Sequence, residues 1–232
     1  MEKIAIITIS TGNYNNFLNE LIESIKSKFL TSKQKHIFVF TDQKFQNEND
    51  IDYLQISHLP WPINTLLRFY YFKYIIEKLK NFDVIYYIDC DMVVYNNISE
   101  EIIPNNDEII VCRHIWQQNC TDAFEKYNKN SLAYIDVDSL NFIPEYCQAC
   151  FFGAKTDAFI KMTLELENNI NEDLKNNTIA KWHDESHINK YILNNPKKIL
   201  DIFYTYPSTI PIGENADKIK MIHKNAHSFC KL

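Results

Sequence analysis

Short apolar runs alternate with amphipathic stripes along the first half of this 232-residue chain, and no other feature narrows its fold as much. Ile4–Ile9 is a compact apolar run closed by Ser10, Thr11 and Gly12, and it reads as a buried strand. His36–Thr41, Asp83–Ile88 and Glu108–Cys112 repeat the pattern. Between them, Tyr14–Phe29 carries Phe17, Leu18, Leu21, Ile22, Ile25 and Phe29 at helical spacing. Trp61–Leu79 predicts a long helix with Pro62 in its first turn. Residues 43–56 are polar and predict a loop, and residues 113–146 have no clear period. Thr156–Asn169 and Asp184–Leu193 predict helices, and short strands and loops follow from Lys197. Strands alternating with helices define an α/β protein with a Rossmann-like, mostly parallel sheet flanked by helices. With no repeat, linker or sharp change in composition, residues 1–232 are expected to form one domain.

Composition removes several functions. The only glycines are Gly12, Gly153 and Gly213, so the chain has neither a G-x-G-x-x-G dinucleotide loop nor a G-x-x-x-x-G-K phosphate loop. A protein of this kind must handle phosphate through a metal or side chains. The net charge is −6 with no long basic block, which argues against a nucleic-acid partner. No apolar run approaches the roughly 18–20 residues of a membrane span. The start MEKIAIITIS lacks a secretory h-region and cleavage site. A cytoplasmic location with reduced thiols is therefore expected for Cys90, Cys112, Cys120, Cys147, Cys150 and Cys230. Cys147 and Cys150 form one C-x-x-C with no second ligand pair at zinc spacing. Arginine occurs only at Arg68 and Arg113 in a lysine-rich chain. Each is a candidate for fork-shaped recognition that lysine cannot supply, or a packing residue.

Two segments carry chemistry. Asp89 and Asp91 flank Cys90 where the third strand ends. Carboxylates at i and i+2 of extended chain share a face and suit one hard divalent cation. The carboxyl ends of strands are also where ligands collect in open α/β sheets. The alternative is a solvated turn. The second segment is Lys181–Tyr191, with Asp184 as N-cap and Glu185 in the first helical turn. Glu185 and Asn189 share a polar side. Trp182 offers a flat surface suited to a sugar. Glu185 could work on an anomeric carbon. His183 and His187 could instead bind zinc, although Asp184 stands where H-E-x-x-H requires glutamate. A capped structural helix is the third reading.

Together these residues resemble glycosyltransferase family 6, the family of the ABO blood-group transferases and the α-1,3-galactosyltransferase, with several bacterial members. W-H-D-E-S-H-I-N-K-Y (Trp182–Tyr191) looks like its signature. Ser10–Tyr14 is similar to the uracil-holding turn, and Phe38–Asp42 to the second-strand motif. Trp61–Phe69 resembles the bacterial form of the helix bearing a donor-site arginine, and Asp89-Cys90-Asp91 sits at the family's D-x-D. Ala133–Ile135 and Tyr146–Gly153 follow in order, while residues 197–232 match poorly.

The resemblance implies a GT-A fold, with a nucleotide-binding part over about 1–112 and an acceptor and catalytic part over about 113–232. It implies transfer of galactose or N-acetylgalactosamine from a UDP-sugar to the 3-hydroxyl of a β-galactoside, with or without fucose, and with α configuration retained. It assigns Asp89 and Asp91 to Mn²⁺ or Mg²⁺ and Glu185 to the reacting face of the sugar. The donor set it implies is Ile9, Ser10, Thr11, Tyr14, Asn64, Arg68, Asp89, Cys90, Asp91, Gln148, Ala149, Cys150 and Asp184. The acceptor set is His114, Trp182 and Glu185. A basic C-terminal tail closes over the diphosphate in the family, and Lys220 and Lys224, with Lys218 and His223, are the candidates here.

Several bacterial relatives replace D-x-D by N-x-N and work without metal, so the intact aspartates here predict metal dependence. Gln148-Ala149-Cys150 aligns with the donor-selecting triplet, whose third position leaves room for an N-acetyl group when it is glycine. Cys150 tilts the choice toward galactose. Ala154 replaces a glycine common after Gly153, and Asp136–Glu145 has no counterpart. A binding protein on the same scaffold that no longer catalyses is the alternative, but it would have no need for Asp89, Asp91 and Glu185 together.

Overall fold

A computed structural model describes residues 2–224. In chain order the elements are β1 (Lys3–Ser10), α1 (Asn15–Lys28), β2 (Gln34–Thr41), β3 (Ile51–Gln55), α2 (Ile63–Leu66), α3 (Arg68–Tyr74), α4 (Ile76–Leu79), β4 (Val84–Ile88), β5 (Met92–Val94), β6 (Ile109–Arg113), β7 (Cys147–Lys155), α5 (Thr156–Lys175), α6 (His183–Asn194), β8 (Lys197–Leu200), β9 (Tyr206–Pro207) and β10 (Met221–His223). The central sheet has the order β3-β2-β1-β4-β7-β6-β8. Its pairs are parallel except at β7, which runs antiparallel to both β4 and β6. This is the mixed α/β, mostly parallel architecture of the GT-A fold. In a small sheet, β5-β10-β9, residues Met221–His223 return to pair with β5, which follows β4.

The apolar runs are continuous because both sheet faces are covered. Ile4, Ile6, Val84, Tyr86 and Ile88 pack on one face with Leu18, Leu21 and Ile25 of α1. Ala5, Ile7, Ile85 and Tyr87 pack on the other with Phe69, Phe72, Phe159, Met162 and Ile188. Gly153 lies opposite Tyr86, where a Cβ would come within 2.3 Å of that ring and 2.7 Å of the Ile85 carbonyl, so only glycine fits. Among the described residues no helix is long and apolar enough to cross a membrane.

Four elements differ from the sequence expectations. Residues 51–55 form β3 rather than loop; this polar strand pairs with β2 only, at the sheet edge, so half of it stays wet. Residues 147–155, given no element from sequence, form β7 at the middle of the sheet. The long helix predicted over Trp61–Leu79 is three short ones, broken at Leu67 and Ile75. This segment is rich in aromatic and β-branched residues, whose helix propensity is low, so packing sets its path. The last long helix begins at His183 rather than Asp184, with Trp182 at the cap position. The irregular stretch 113–146 is as expected, and it holds a small core of Ala123, Phe124, Ile135, Val137 and Tyr146.

Candidate active site

A cleft of about 880 Å³ opens beyond the carboxyl ends of β1 and β4. Its first wall is the turn after β1. The Asp42 carboxylate accepts hydrogen bonds from the Gly12 amide (3.2 Å) and Asn15 Nδ2 (2.8 Å), which closes the turn. Gly12 has φ +56° and faces the His58 ring, so it supplies both the left-handed conformation and the space. Ile9, Thr11 and Tyr14 line the cleft, whereas Ser10 is buried behind it, its Oγ donating to Asn15 Oδ1 at 2.9 Å. Asn64 Nδ2 donates to Thr11 Oγ1 at 3.0 Å, and Asn64 Oδ1 is buried with no hydrogen-bond partner among the described residues.

Arg68 organises the floor. Its side chain is buried, with Nη1 donating to the Ala149 carbonyl at 2.8 Å and lying 3.0 Å from Asp184 Oδ2. Nη2 lies 3.3 Å from Asp89 Oδ1, and the guanidinium stacks 4.3 Å over the Tyr87 ring. Only a planar fork can meet these partners together. Burial pushes the Asp184 carboxyl up to about 6, against the opposing pull of Arg68. Asp89 also accepts from Tyr87 Oη at 2.5 Å. Arg68→Met would leave two carboxylates without their cation, and a loss of about 3–5 kcal/mol is expected from urea unfolding at pH 7. Protonation of Asp184 removes one stranded charge, so the loss should shrink at pH 5. An equal loss at both pH values would refute this account of the floor.

Glu185 sits beside this pair on the first turn of α6. One carboxylate oxygen accepts from Tyr146 Oη and the other from the Ala149 amide, both at 2.8 Å. Burial raises its carboxyl to about 7 even though both hydrogen bonds favour the anion. Asn189, one turn on, donates to the carbonyls of Glu185 and Cys147 and accepts from the Cys147 amide, riveting α6 to β7. This is the polar side that the i, i+4 spacing predicted.

Asp89, Asp91 and His223 also line the cleft, and their ligand atoms all lie within 4.8 Å of one another. His223 Nε2 is 3.3 Å from the buried Asp91 carboxylate. Two carboxylates and an imidazole balance the charge of one divalent cation, and the nitrogen donor suits Mn²⁺ better than Mg²⁺. The donor set therefore fits a metal. From sequence His223 is only one of the tail residues; pairing of β10 with β5 puts it beside Asp91, a neighbourhood no local pattern encodes.

The other candidates divide. Gln148, Ala149, Cys150 and Trp182 line the cleft. His114 lies beside Tyr146, with its rings 5.9 Å apart, and burial lowers its imidazole to about 4. Lys220 Nζ donates to the Asn97 carbonyl at 2.9 Å, and Lys224 pairs with Glu20 of α1. The H-x-x-x-H zinc reading fails. His183 has φ +52° and meets the Trp61 ring, while His187 is buried against Asp173 at 3.4 Å. Cys147 and Cys150 belong to the cores on opposite sheet faces, so they cannot act as a pair. Cys230 lies outside the described residues. Asp184 is no N-cap, because its carboxylate turns inward to Arg68. Tyr87, Tyr146, His58 and Trp61 were not singled out from sequence; of these, Trp61 and Tyr146 lay within the quoted motifs.

A cleft at the carboxyl edge of an open α/β sheet is where ligands gather in such folds, and the chain belongs to glycosyltransferase family 6. The family's sequence profile matches residues 2–229. The O-antigen biosynthesis glycosyltransferase WbnI of Escherichia coli is 31% identical over 231 residues, covering 97% of each chain. The histo-blood group ABO system transferase 1 of Rattus norvegicus is 24% identical over 218 residues, 88% of this chain and 60% of the relative. The globoside alpha-1,3-N-acetylgalactosaminyltransferase 1 of Gallus gallus is 23% identical over 221 residues, 90% of this chain and 63% of the relative. The chain thus spans less than two thirds of these two vertebrate relatives.

Proposed function

We propose that this transferase moves galactose, or N-acetylgalactosamine, from its UDP conjugate to the 3-hydroxyl of a β-galactoside, retaining the α configuration and requiring a divalent cation. The observation that carries the reading is the Glu185 carboxylate, held by two hydrogen bonds on the floor of a cleft that also bears Asp89, Asp91 and His223. Residues from about 1 to 112 supply the nucleotide-binding part and residues from about 113 to 232 the acceptor and catalytic part of one domain. Uridine fits against Ile9, Thr11, Tyr14 and Asn64, where the buried Asn64 Oδ1 can accept a nucleobase N–H. Ser10 supports that wall from behind. Asp89, Cys90 and Asp91 face the diphosphate, and a cation bound there would neutralise the charge that builds on it.

The transferred sugar lies over Arg68, Asp184 and Gln148–Cys150. Its bond from the anomeric carbon to the diphosphate oxygen breaks, and the electron pair leaves with UDP. Glu185 faces the positive charge left on that carbon, as nucleophile or as electrostatic stabiliser. The acceptor 3-hydroxyl forms the new bond and passes its proton to the diphosphate oxygen that departs with UDP. His114 and Trp182 border the acceptor space. Lys220 and Lys224 hold β10 against the body of the protein, and moving them over the diphosphate would break the contacts they make here.

The test is UDP release from UDP-galactose and from UDP-N-acetylgalactosamine, with N-acetyllactosamine or a fucosylated acceptor, in Mn²⁺ and in EDTA. Metal-requiring release with either donor is expected, and no release from a folded protein would sink the reading. Cys150 is buried at the cleft margin. Cys150→Gly should raise the kcat/KM for UDP-N-acetylgalactosamine relative to UDP-galactose by about tenfold, the effect of relieving one small steric contact. An unchanged ratio would remove Cys150 from donor choice.

A further inference from the structure

Beyond Trp182 the surface continues as an aromatic strip. Lys181 Nζ lies 5.9 Å from the Trp182 ring centre and 5.8 Å from that of Tyr127, so both rings flank one ammonium. Trp182 is 43% exposed and Tyr127 is 69% exposed. Two large rings left open to water beside a cleft are the surface on which sugar faces stack, with C–H groups on the ring and hydroxyls free to meet a cation or its neighbours.

The strip is held from below by a carboxylate. Glu125 is only 4% exposed. Its Oε1 accepts from the amides of Tyr127 (3.4 Å) and Asn128 (3.0 Å), and its Oε2 accepts from the amide of Lys181 (2.6 Å). Burying a carboxylate costs several kcal/mol unless its oxygens are satisfied. Here those oxygens hold together two segments distant in sequence, the one bearing Tyr127 and the one bearing Lys181 and Trp182. Asp122 reinforces the outer end: Oδ1 accepts from Tyr127 Oη at 3.1 Å, its carboxylate pairs with Lys126 at 2.6 Å, and its carbonyl accepts from Lys181 Nζ. The Tyr127 ring and the backbone that leads into Trp182 are thus held before any ligand arrives, which lowers the entropy cost of binding.

We infer that Trp182, Lys181 and Tyr127 form an acceptor subsite for the sugars that follow the reacting disaccharide, with Glu125 as its positioning residue. The inference rests on the proposed function and extends it: the natural acceptor is an oligosaccharide longer than two units. Continuity with the cleft through Trp182 selects a glycan as the occupant. The test compares kcat/KM for N-acetyllactosamine and for lacto-N-neotetraose, a tetrasaccharide ending in the same disaccharide, at saturating donor. The parent protein should prefer the tetrasaccharide by about tenfold, mainly through KM. Tyr127→Ala should abolish that preference, and Tyr127→Phe, which keeps the ring, should preserve it. Glu125→Gln should weaken the preference through KM for the tetrasaccharide with little change in kcat. Equal use of both acceptors by the parent, or an intact preference in Tyr127→Ala, would overturn the subsite while leaving the proposed reaction standing. No turnover with either acceptor would overturn both.

Discussion

Glu185→Gln is expected to lower turnover by about a thousandfold while UDP still binds, the scale seen when one preorganised charge is removed from a reacting centre. The amide is nearly isosteric with the carboxylate. Its oxygen can accept from Ala149 and its NH₂ can donate to the Tyr146 oxygen, so the floor of the cleft keeps its shape. What disappears is the negative charge facing the anomeric carbon. Stopped assays of UDP release give the rate, and calorimetric titration with UDP and Mn²⁺ gives the affinity. A normal rate would take Glu185 away from the reacting carbon. Loss of UDP binding would mean that the substitution had disturbed the cleft.

The same substitution should change stability with the opposite sign. Burial raises the Glu185 carboxyl from 4.5 to about 7. Stability linked to its proton is fully present below the unfolded value and is lost as pH rises through the folded one. Glu185→Gln removes this penalty and is expected to be more stable than the parent by about 3 kcal/mol at pH 8, with the gain fading toward pH 4. Denaturant unfolding at the two pH values measures it.

Asp89→Asn combined with Asp91→Asn is expected to abolish turnover and Mn²⁺ binding together. The group of Asp89, Asp91 and His223 would keep one imidazole nitrogen and lose both anionic ligands. Neutral amide oxygens bind a hard divalent cation far more weakly than carboxylates. Asp89 also pairs with Arg68, so folding must be measured alongside. Asp91→Asn alone spares that pair and should still weaken Mn²⁺ binding, read by the loss of free Mn²⁺ signal in electron paramagnetic resonance. Full activity of the parent protein in chelator would end the metal role.

Much of this site was legible from the chain. Asp89 and Asp91 were found because a buried strand ends at them, and Glu185 because it opens a helix inside a distinctive ten-residue string. Arg68 stood out as one of two arginines among many lysines. Other features left no local trace. Asp184 read as a cap because local rules know only the helix end, whereas in the fold its carboxylate meets an arginine more than a hundred residues earlier. β3 was missed because an edge strand needs only half its residues to be apolar. β7 was read as a motif rather than a strand, although its nine residues lie between β4 and β6.

Periodicity and strand ends determined the α/β class and the side of the sheet on which chemistry gathers, because solvent exclusion acts on each segment through its own residue pattern. Tertiary structure alone decided which distant groups share a charge. It brought His223 to Asp91, Arg68 to Asp184 and Tyr146 to Glu185, and it put Glu125 beneath the strip that carries Tyr127 and Trp182. Hydrogen bonds and ion pairs act over a few ångströms of space whatever the separation along the chain, so only the packed fold could show them.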